Sequence, residues 1–257
     1  MKVVKRIWWL PLVIYMTIAP SFMSDRVYNE SCREIRITVM DSAEYRFVTP
    51  GEIMTIIQDD NTKLLGAGLN SINIKRIENI LAGIRELESV EVYTTADGVL
   101  HVDTDQRDPV MRVITSYGNS YYIDNEGFVI PHNNTYTPRL IAVSGNIEVP
   151  DSCILGRSIL DMEEKLMVNQ IFEISRYINN DEFWNRLLEQ IWINDKAEIE
   201  LVPRVGDHIV KMGSAENYQW KFKVLGTFYK ETLAIVGWDK YDEIDMRFKG
   251  QLVCRKK

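Results

Sequence analysis

The sequence predicts an α+β protein: two folded parts behind a single N-terminal membrane anchor. Three observations predict it. An uncharged run, IWWLPLVIYMTIAPSFM, follows the basic opening MKVVKR. From about Cys32 the hydrophobic spacing reads strand, helix, helix, strand, strand. From Gln106 onward short alternating segments take over with helices between them, the pattern of a mixed sheet with helices laid on it.

The anchor comes first. Residues 1–6 carry Lys2, Lys5 and Arg6 and form a short cytoplasmic tail. Residues 7–23 make a run of about 17 residues, the lower limit of a membrane span. Trp8 and Trp9 stand where an interfacial aromatic belt lies, and the basic flank places the N-terminus in the cytoplasm and the rest beyond the membrane. Pro11 and Pro20 are compatible with a membrane helix. The alternative is a cleaved signal peptide, but Ala19 is followed by Pro20, and Phe22 and Met23 are bulky. A retained anchor is the expectation.

The next block runs over residues 24–105. EIRITVMD alternates Ile35, Ile37 and Val39 on one face, as a strand does. In TPGEIMTIIQ, Thr49 is an N-cap, Pro50 suits the first helical position and Glu52 completes a capping box, so a short helix starts there. Ile74, Ile77, Leu81 and Ile84 recur at helical spacing and give a second amphipathic helix. SVEVYTTADGVLHVDTDQR is two alternating strands around the Asp97-Gly98 turn.

The last block spans residues 106–257. Short strands are expected at Pro109 to Thr115, Tyr121 to Asp124, Phe128 to Ile130 and within RLIAVSGNI. A long helix is expected from Leu160 to Ile178, with Met167, Ile171, Ile174 and Ile178 on one stripe, ended by Asn179-Asn180. IWINDKAEIELVP reads as a hairpin turning at Asn194-Asp195, and HIVKMG as a strand. AENYQWKFKVLGTFYKETL is a helix burying Tyr218, Phe222, Leu225 and Tyr229. EIDMRFKGQLVCRKK closes the chain as a strand or two kinked at Lys249-Gly250.

The totals narrow the function. The chain has 257 residues and a formal net charge of -7, which supplies no basic footprint for nucleic acid. The three cysteines, Cys32, Cys153 and Cys254, form no CxxC pair, so zinc-knuckle and thioredoxin-type chemistry lack a motif; the count allows one disulfide, and three thiols is the plainer reading. His101, His132 and His208 lie in different elements with no metal-ligand spacing. The Gly66-x-Gly68 of LLGAGLN lacks the further glycines or Lys of a phosphate loop. GxSxG and SxxK are absent. Asn29 and Asn133 fall in glycosylation sequons that carry no weight without other signs of eukaryotic secretion. Asp103 with Asp105, and Asp124 with Glu126, are close carboxylates, yet on strand ends and turns such groups are ordinarily solvated. No cofactor is implied.

An anchor, two small domains and no catalytic constellation describe a protein that works by binding. Sheet edges are its natural docking surfaces, because unpaired backbone groups accept an added strand. The terminal stretch from Glu243 to Cys254 sets Ile244, Met246 and Phe248 on one face and Asp245, Arg247 and Lys249 on the other. As the last strand it is expected at an edge.

The layout resembles the FtsQ/DivIB family of bacterial cell-division proteins, closest in wording to Bacteroidetes forms, over essentially the full length. The strand-helix-helix-strand-strand block is similar to a POTRA domain behind a single anchor. QRDPVMRV resembles the family's Gln-Arg-x-Pro joint, and YYIDNEGFVIP its turn signature, here Tyr122, Asp124, Gly127 and Pro131. IELVPRVGDHIVKMG with ENYQWKFKVLGTFY, and YDEIDMRFKGQLV, resemble its later segments. One departure is the short tail ahead of the span, where many members have longer ones.

The resemblance implies a bitopic inner-membrane scaffold of the divisome, at the division septum, with its bulk in the periplasm and no enzymatic activity. Its partners would be the small coiled-coil division proteins FtsB and FtsL, the first bound by strand addition near the C-terminus. Carried over, this points to Trp238, Tyr241, Ile244, Asp245, Met246, Arg247 and Phe248. Pro109, Asp124, Gly127 and Pro131 would form a structural turn and hinge. Two rival expectations stand beside it: a membrane-anchored POTRA chaperone for secretion or outer-membrane assembly, and a cell-wall hydrolase using Asp124 and Glu126.

Overall fold

The computed structural model describes residues 13–16, 30–40, 45–59, 63–132, 136–154, 156–162 and 166–257. The chain forms two compact units, 1–106 and 107–257. The expected span at 7–23 lies outside the described residues except for a helical turn at 13–16. Among the described residues no helix is long and apolar enough to cross a membrane.

The first unit holds β1 (Glu34–Val39), α1 (Pro50–Asp59), α2 (Ile74–Leu81), β2 (Leu87–Thr94) and β3 (Val99–Gln106). The sheet order is β1-β3-β2, with β1 parallel and β2 antiparallel to β3. A parallel neighbour requires a crossover, and the two helices supply it. Ile53, Ile57, Ile77 and Leu81 of the helices are buried with Val92, Leu100 and Val102 of the strands. The capping box forms as its residue types dictate: the Thr49 N–H donates to Glu52 Oε2 at 2.7 Å, and the Glu52 N–H to Thr49 Oγ1 at 3.3 Å. Asn73 caps α2 by accepting from the Arg76 N–H at 3.0 Å. That helix stops at Leu81, so Ile84 lies beyond it.

Gln106, the last residue of the unit, is buried and uses its whole amide. Its Oε1 accepts from the Phe47 and Val48 N–H groups at 2.9 and 3.0 Å. Its Nε2 donates to the Tyr45 and Met40 carbonyls at 2.9 and 3.4 Å. Backbone groups between β1 and α1 are satisfied by one side chain from β3.

The second unit is a nine-stranded sheet. Its strands are β4 (Pro109–Ile114), β5 (Ser120–Asp124), β6 (Val129–Pro131), β7 (Ile141–Gly145), β8 (Leu188–Ile193), β9 (Ile199–Pro203), β10 (Ile209–Gly213), β11 (Tyr241–Asp245) and β12 (Val253–Lys256). Their order is β12-β11-β10-β9-β8-β7-β4-β5-β6. The pairs β4–β7, β7–β8 and β10–β11 are parallel and the rest antiparallel.

Between strands run α3 (Asp151–Ile154), α4 (Met167–Asn179), α5 (Glu182–Leu187), α6 (Tyr218–Thr227), a π-helical segment Phe228–Leu233 and α7 (Ala234–Val236). One face of the sheet buries Met111, Val143, Ile191, Leu201, Val210 and Ile244 against Ile171, Ile174, Phe222 and Leu225 of the helices. Alternation along each strand sends every second side chain to that layer.

One expectation is corrected, one helix is added and one alternative is decided. The long helix begins at Met167 rather than Leu160, because Ser158 Oγ accepts the Leu160 N–H at 3.1 Å and caps a separate 3₁₀ turn, Ile159–Asp161. Helix α5 lacks a long periodic stripe; Asp181 starts it by accepting from the Phe183 and Trp184 N–H groups at 2.9 and 3.2 Å. The closing stretch, expected as a strand or two, is two strands, and the stretch from Glu243 to Cys254 is divided between them. Chain reversal at Phe248–Gln251 folds β12 back on β11, with the Gln251 N–H donating to the Phe248 carbonyl at 3.2 Å.

All three cysteines are thiols: Cys32 and Cys153 are buried, and Cys254 is half-buried on β12. Burial pushes each thiol above its ordinary range.

Candidate partner-binding site

Two groups of residues stood out in the sequence, and they fall at opposite ends of the nine-stranded sheet.

The turn group surrounds Asp124, which is 2% exposed. Its Oδ1 accepts the Glu126 and Phe128 N–H groups at 3.0 and 2.8 Å, and its Oδ2 accepts Arg107 Nη1 at 2.6 Å. The Arg107 guanidinium lies over the Phe128 ring, 4.4 Å from its centroid. Burial pushes the Asp124 carboxyl up, while Arg107 and the two amides pull it back without cancelling the rise.

Asn125 Nδ2 donates to Asp108, and the Asn125 N–H to the Asp108 carbonyl at 3.1 Å. Gly127 stands at φ +79, and a Cβ there would meet Ser158 Oγ at 2.7 Å. Ser158 Oγ in turn donates to the Glu126 carbonyl at 2.6 Å. Pro109 pairs opposite Asp124, and Pro131 ends β6, the strand at this end of the sheet. Tyr122 is buried while Tyr121 is half-buried, on opposite faces of β5. The contacts named for this turn lie within the second unit. Both Asp124 oxygens are committed, whereas the Glu126 side chain is 59% exposed. Arg107 Nη1 also lies 3.6 Å from Glu126 Oε2, so both carboxylates face one guanidinium.

The C-terminal group stands at the other end. Strand β11 is paired on both sides, to β10 and to β12, so Ile244 and Asp245 do not sit on a free edge. Ile244 and Met246 are buried in the core layer, at 0% and 4% exposure. The Met246 N–H donates to the Lys211 carbonyl at 2.9 Å and continues the ladder past the end of β11. Strand β12 is last in the sheet order and, among the described residues, has a strand neighbour on one side only.

Arg247 fixes the turn between these strands. Its Nη2 donates to Asp245 Oδ2 at 2.7 Å, its Nε to Asp245 Oδ1 at 3.0 Å and its Nη1 to Glu198 Oε2 at 3.2 Å. Arg247 holds the Asp245 carboxyl below its usual range.

Arg255 on β12 and Lys257 just after it are themselves paired. Arg255 Nε meets Asp242 at 3.0 Å, and its Nη1 lies 3.3 Å from Glu243, which also binds Lys211 at 2.7 Å. Lys257 Nζ meets Asp207 at 2.8 Å. Trp238 stacks on Tyr229 with centroids 5.3 Å apart, and Tyr241 lies 6.0 Å from Phe228. Phe248 and Val253 are the large apolar side chains left open near the edge, 53% and 45% exposed.

The seven residues picked from the sequence thus separate into four kinds. Ile244 and Met246 are core. Asp245 and Arg247 are a turn lock. Trp238 and Tyr241 are half-buried against the helical layer, and Phe248 is exposed. The edge itself, Val253–Lys256, is the second of the two strands that the kink at Lys249-Gly250 allowed, but none of its residues is among the seven. The Gly250 between two alternating runs was the signal for it.

A parallel-crossover βααββ unit ahead of a mixed sheet with helices on one face is the build of a POTRA-bearing binding protein. The family comparisons say the same: residues 30–105 match a POTRA-like domain, and residues 108–255, more than half of the chain, match the model described as FtsQ/DivIB, C-terminal related. The chain belongs to the FtsQ/DivIB family. Both are non-enzymatic scaffold kinds, and the FtsQ/DivIB family is tied to cell division and to divisome protein partners in general. No curated protein matches the chain.

Proposed function

We propose that the protein is a bitopic inner-membrane scaffold of the divisome that binds a partner by β-strand addition at the free edge of β12. One observation carries the reading. Strand β12 ends a nine-stranded sheet with strand pairing on its β11 side alone among the described residues. The outer row of backbone groups is a template for an extended segment. Phe248 and Val253 supply apolar contacts beside it. In this reading Ile244, Asp245, Met246 and Arg247 set the position of β12, and Phe248 with β12 meets the partner. Trp238 and Tyr241 support the edge from the helical layer.

Family membership favours a coiled-coil division protein such as FtsB, with FtsL beside it, as the occupant. Residues 7–23 serve as the anchor, with residues 1–6 in the cytoplasm and the two folded units in the periplasm. The turn at Pro109, Asp124, Gly127 and Pro131 stiffens the start of the second unit next to the joint.

The test is capture of the FtsB-like partner by the full chain. Truncation at Gly250, which removes β12, and Phe248→Glu should each abolish capture while amide protection in the POTRA unit is unchanged. Undiminished capture by the truncated chain would rule out the edge. A fluorescent fusion should gather at midcell and depletion should give filamentous cells; dispersed signal with normal division would overturn the division role.

A further inference from the structure

His208 is a buried imidazole with one nitrogen unmatched. It is 1% exposed, as is Tyr229, whose hydroxyl lies 2.7 Å from His208 Nε2. Nδ1 is buried and has no hydrogen-bond partner among the described residues. A Cβ at Gly206 would stand 2.7 Å from Nδ1 and 3.0 Å from the Trp238 carbonyl oxygen. The space beside the imidazole and that carbonyl therefore admits glycine and little more.

The location matters as much as the burial. His208 leads into β10. Tyr229 belongs to the π-helical segment, and π-helical turns recur at functional sites. Trp238 belongs to the connection that enters β11, and it stacks on Tyr229. Asp207, next to His208, is bonded to Lys257 at the far end of β12, and the Lys257 N–H reaches the Lys240 carbonyl at 3.4 Å. The imidazole thus bonds the helical layer beside the connection into β11, and its neighbour Asp207 bonds the residue that follows β12.

We propose that His208 is a pH-responsive latch for the β11–β12 edge: neutral, it holds the π-helical segment and the Trp238 connection together, and protonated, it releases them and loosens the hairpin. Protonation makes both ring nitrogens donors. Tyr229 must then turn to accept, and Nδ1–H is left with the Trp238 carbonyl beside it. The positive charge arises among Tyr229, Trp238 and the core, where desolvation penalises it. The facing charged groups are Asp207 on its own segment, Asp239 on the connection into β11, and Lys257 at the chain end. Burial lowers the imidazole below its ordinary value; the Trp238 carbonyl, Asp239 and Asp207 raise it back in part, and Lys257 opposes them.

The loosening of the hairpin stands by itself; its effect on a partner rests on the edge-docking reading. Amide hydrogen exchange of the full chain, corrected for intrinsic rates, at about pH 7.5 and about pH 5.5 tests the first part. Peptides covering 238–245 and 253–257 should lose about tenfold protection at the lower pH while β4 and β7 keep theirs. His208→Gln, which stays neutral, should show no such pH dependence. Equal loss in the variant, or no loss in the native chain, overturns the latch. Should the variant fail to fold, the NMR titration of His208 in the native chain decides: the midpoint must fall below the ordinary imidazole range, with protection lost as pH falls from that ordinary range toward the midpoint, and an ordinary midpoint refutes it. Failure of the coiled-coil partner to bind at either pH would refute the docking reading and leave the exchange result in force.

Discussion

Arg107 Nη1 donates to Asp124 Oδ2 at 2.6 Å, with side chains 15% and 3% exposed. The pair ties the residue just after the first unit to the turn between β5 and β6. The two amide bonds to Asp124 Oδ1 complete its acceptor needs, so the carboxylate is buried without being orphaned. Breaking one side leaves the other charge buried and uncompensated. Arg107→Ala and Asp124→Ala should each lower stability by about 2–4 kcal/mol in urea unfolding, and Glu126→Ala by less than about 0.5 kcal/mol, because Glu126 is exposed. A large effect at Glu126 would contradict this division of roles.

Gln106 satisfies four backbone groups at once. Gln106→Leu keeps the volume and strands the Phe47 and Val48 N–H groups. The expected cost is about 2–4 kcal/mol, read as a lower urea midpoint with faster amide exchange at Phe47 and Val48. Unchanged exchange there would show that the amide is not what holds that segment.

Thr49 and Glu52 cap α1 reciprocally. Thr49→Ala should cost about 1 kcal/mol and Thr49→Ser close to nothing, since Ser keeps the hydroxyl that accepts from the Glu52 N–H and donates to Glu52 Oε2. The comparison is one of thermal midpoints.

Ile244 and Phe248 separate core from surface on one short stretch. Ile244→Ala should cost about 2–5 kcal/mol, because the side chain is fully buried. Phe248→Ala should leave the unfolding midpoint nearly unchanged. Partner capture should respond in the opposite order once the loss of folded protein is accounted for.

Asp245 gives an acid-side signature. Arg247 depresses its carboxyl, so the folded pKa lies below the unfolded one near about 3.9. The stabilisation is full above the unfolded value and is lost as pH falls through the folded value. Between about pH 5 and pH 3 the native chain should lose more stability than Asp245→Asn, whose side chain does not titrate. Equal slopes would mean that the Asp245–Arg247 pair adds nothing to folding.

Much of the local structure was legible because it is written in contiguous residues. Thr49-Pro50 with Glu52, the Asp97-Gly98 turn and the alternation of Ile35, Ile37 and Val39 each depend on neighbours within a few positions. The Asp124 turn was equally visible, since Asp bonding to amides two and four residues on is a local event.

What the sequence alone determined is the element order, the caps and turns, the stripe of α4 and the family resemblance. Those rest on periodicity and on short-range backbone chemistry. Tertiary structure decided the rest. It placed β11 inside the sheet and β12 at its end, although both are short alternating strands near the terminus. It gave Asp124 to Arg107, 17 residues away, and Gln106 to a segment 58 to 66 residues away. It enclosed His208 against Tyr229 and Trp238. The physical reason is that strand pairing and side-chain burial are settled between segments distant in the chain. A residue's exposure, and with it any partner-binding role, follows from which segment arrives to cover it.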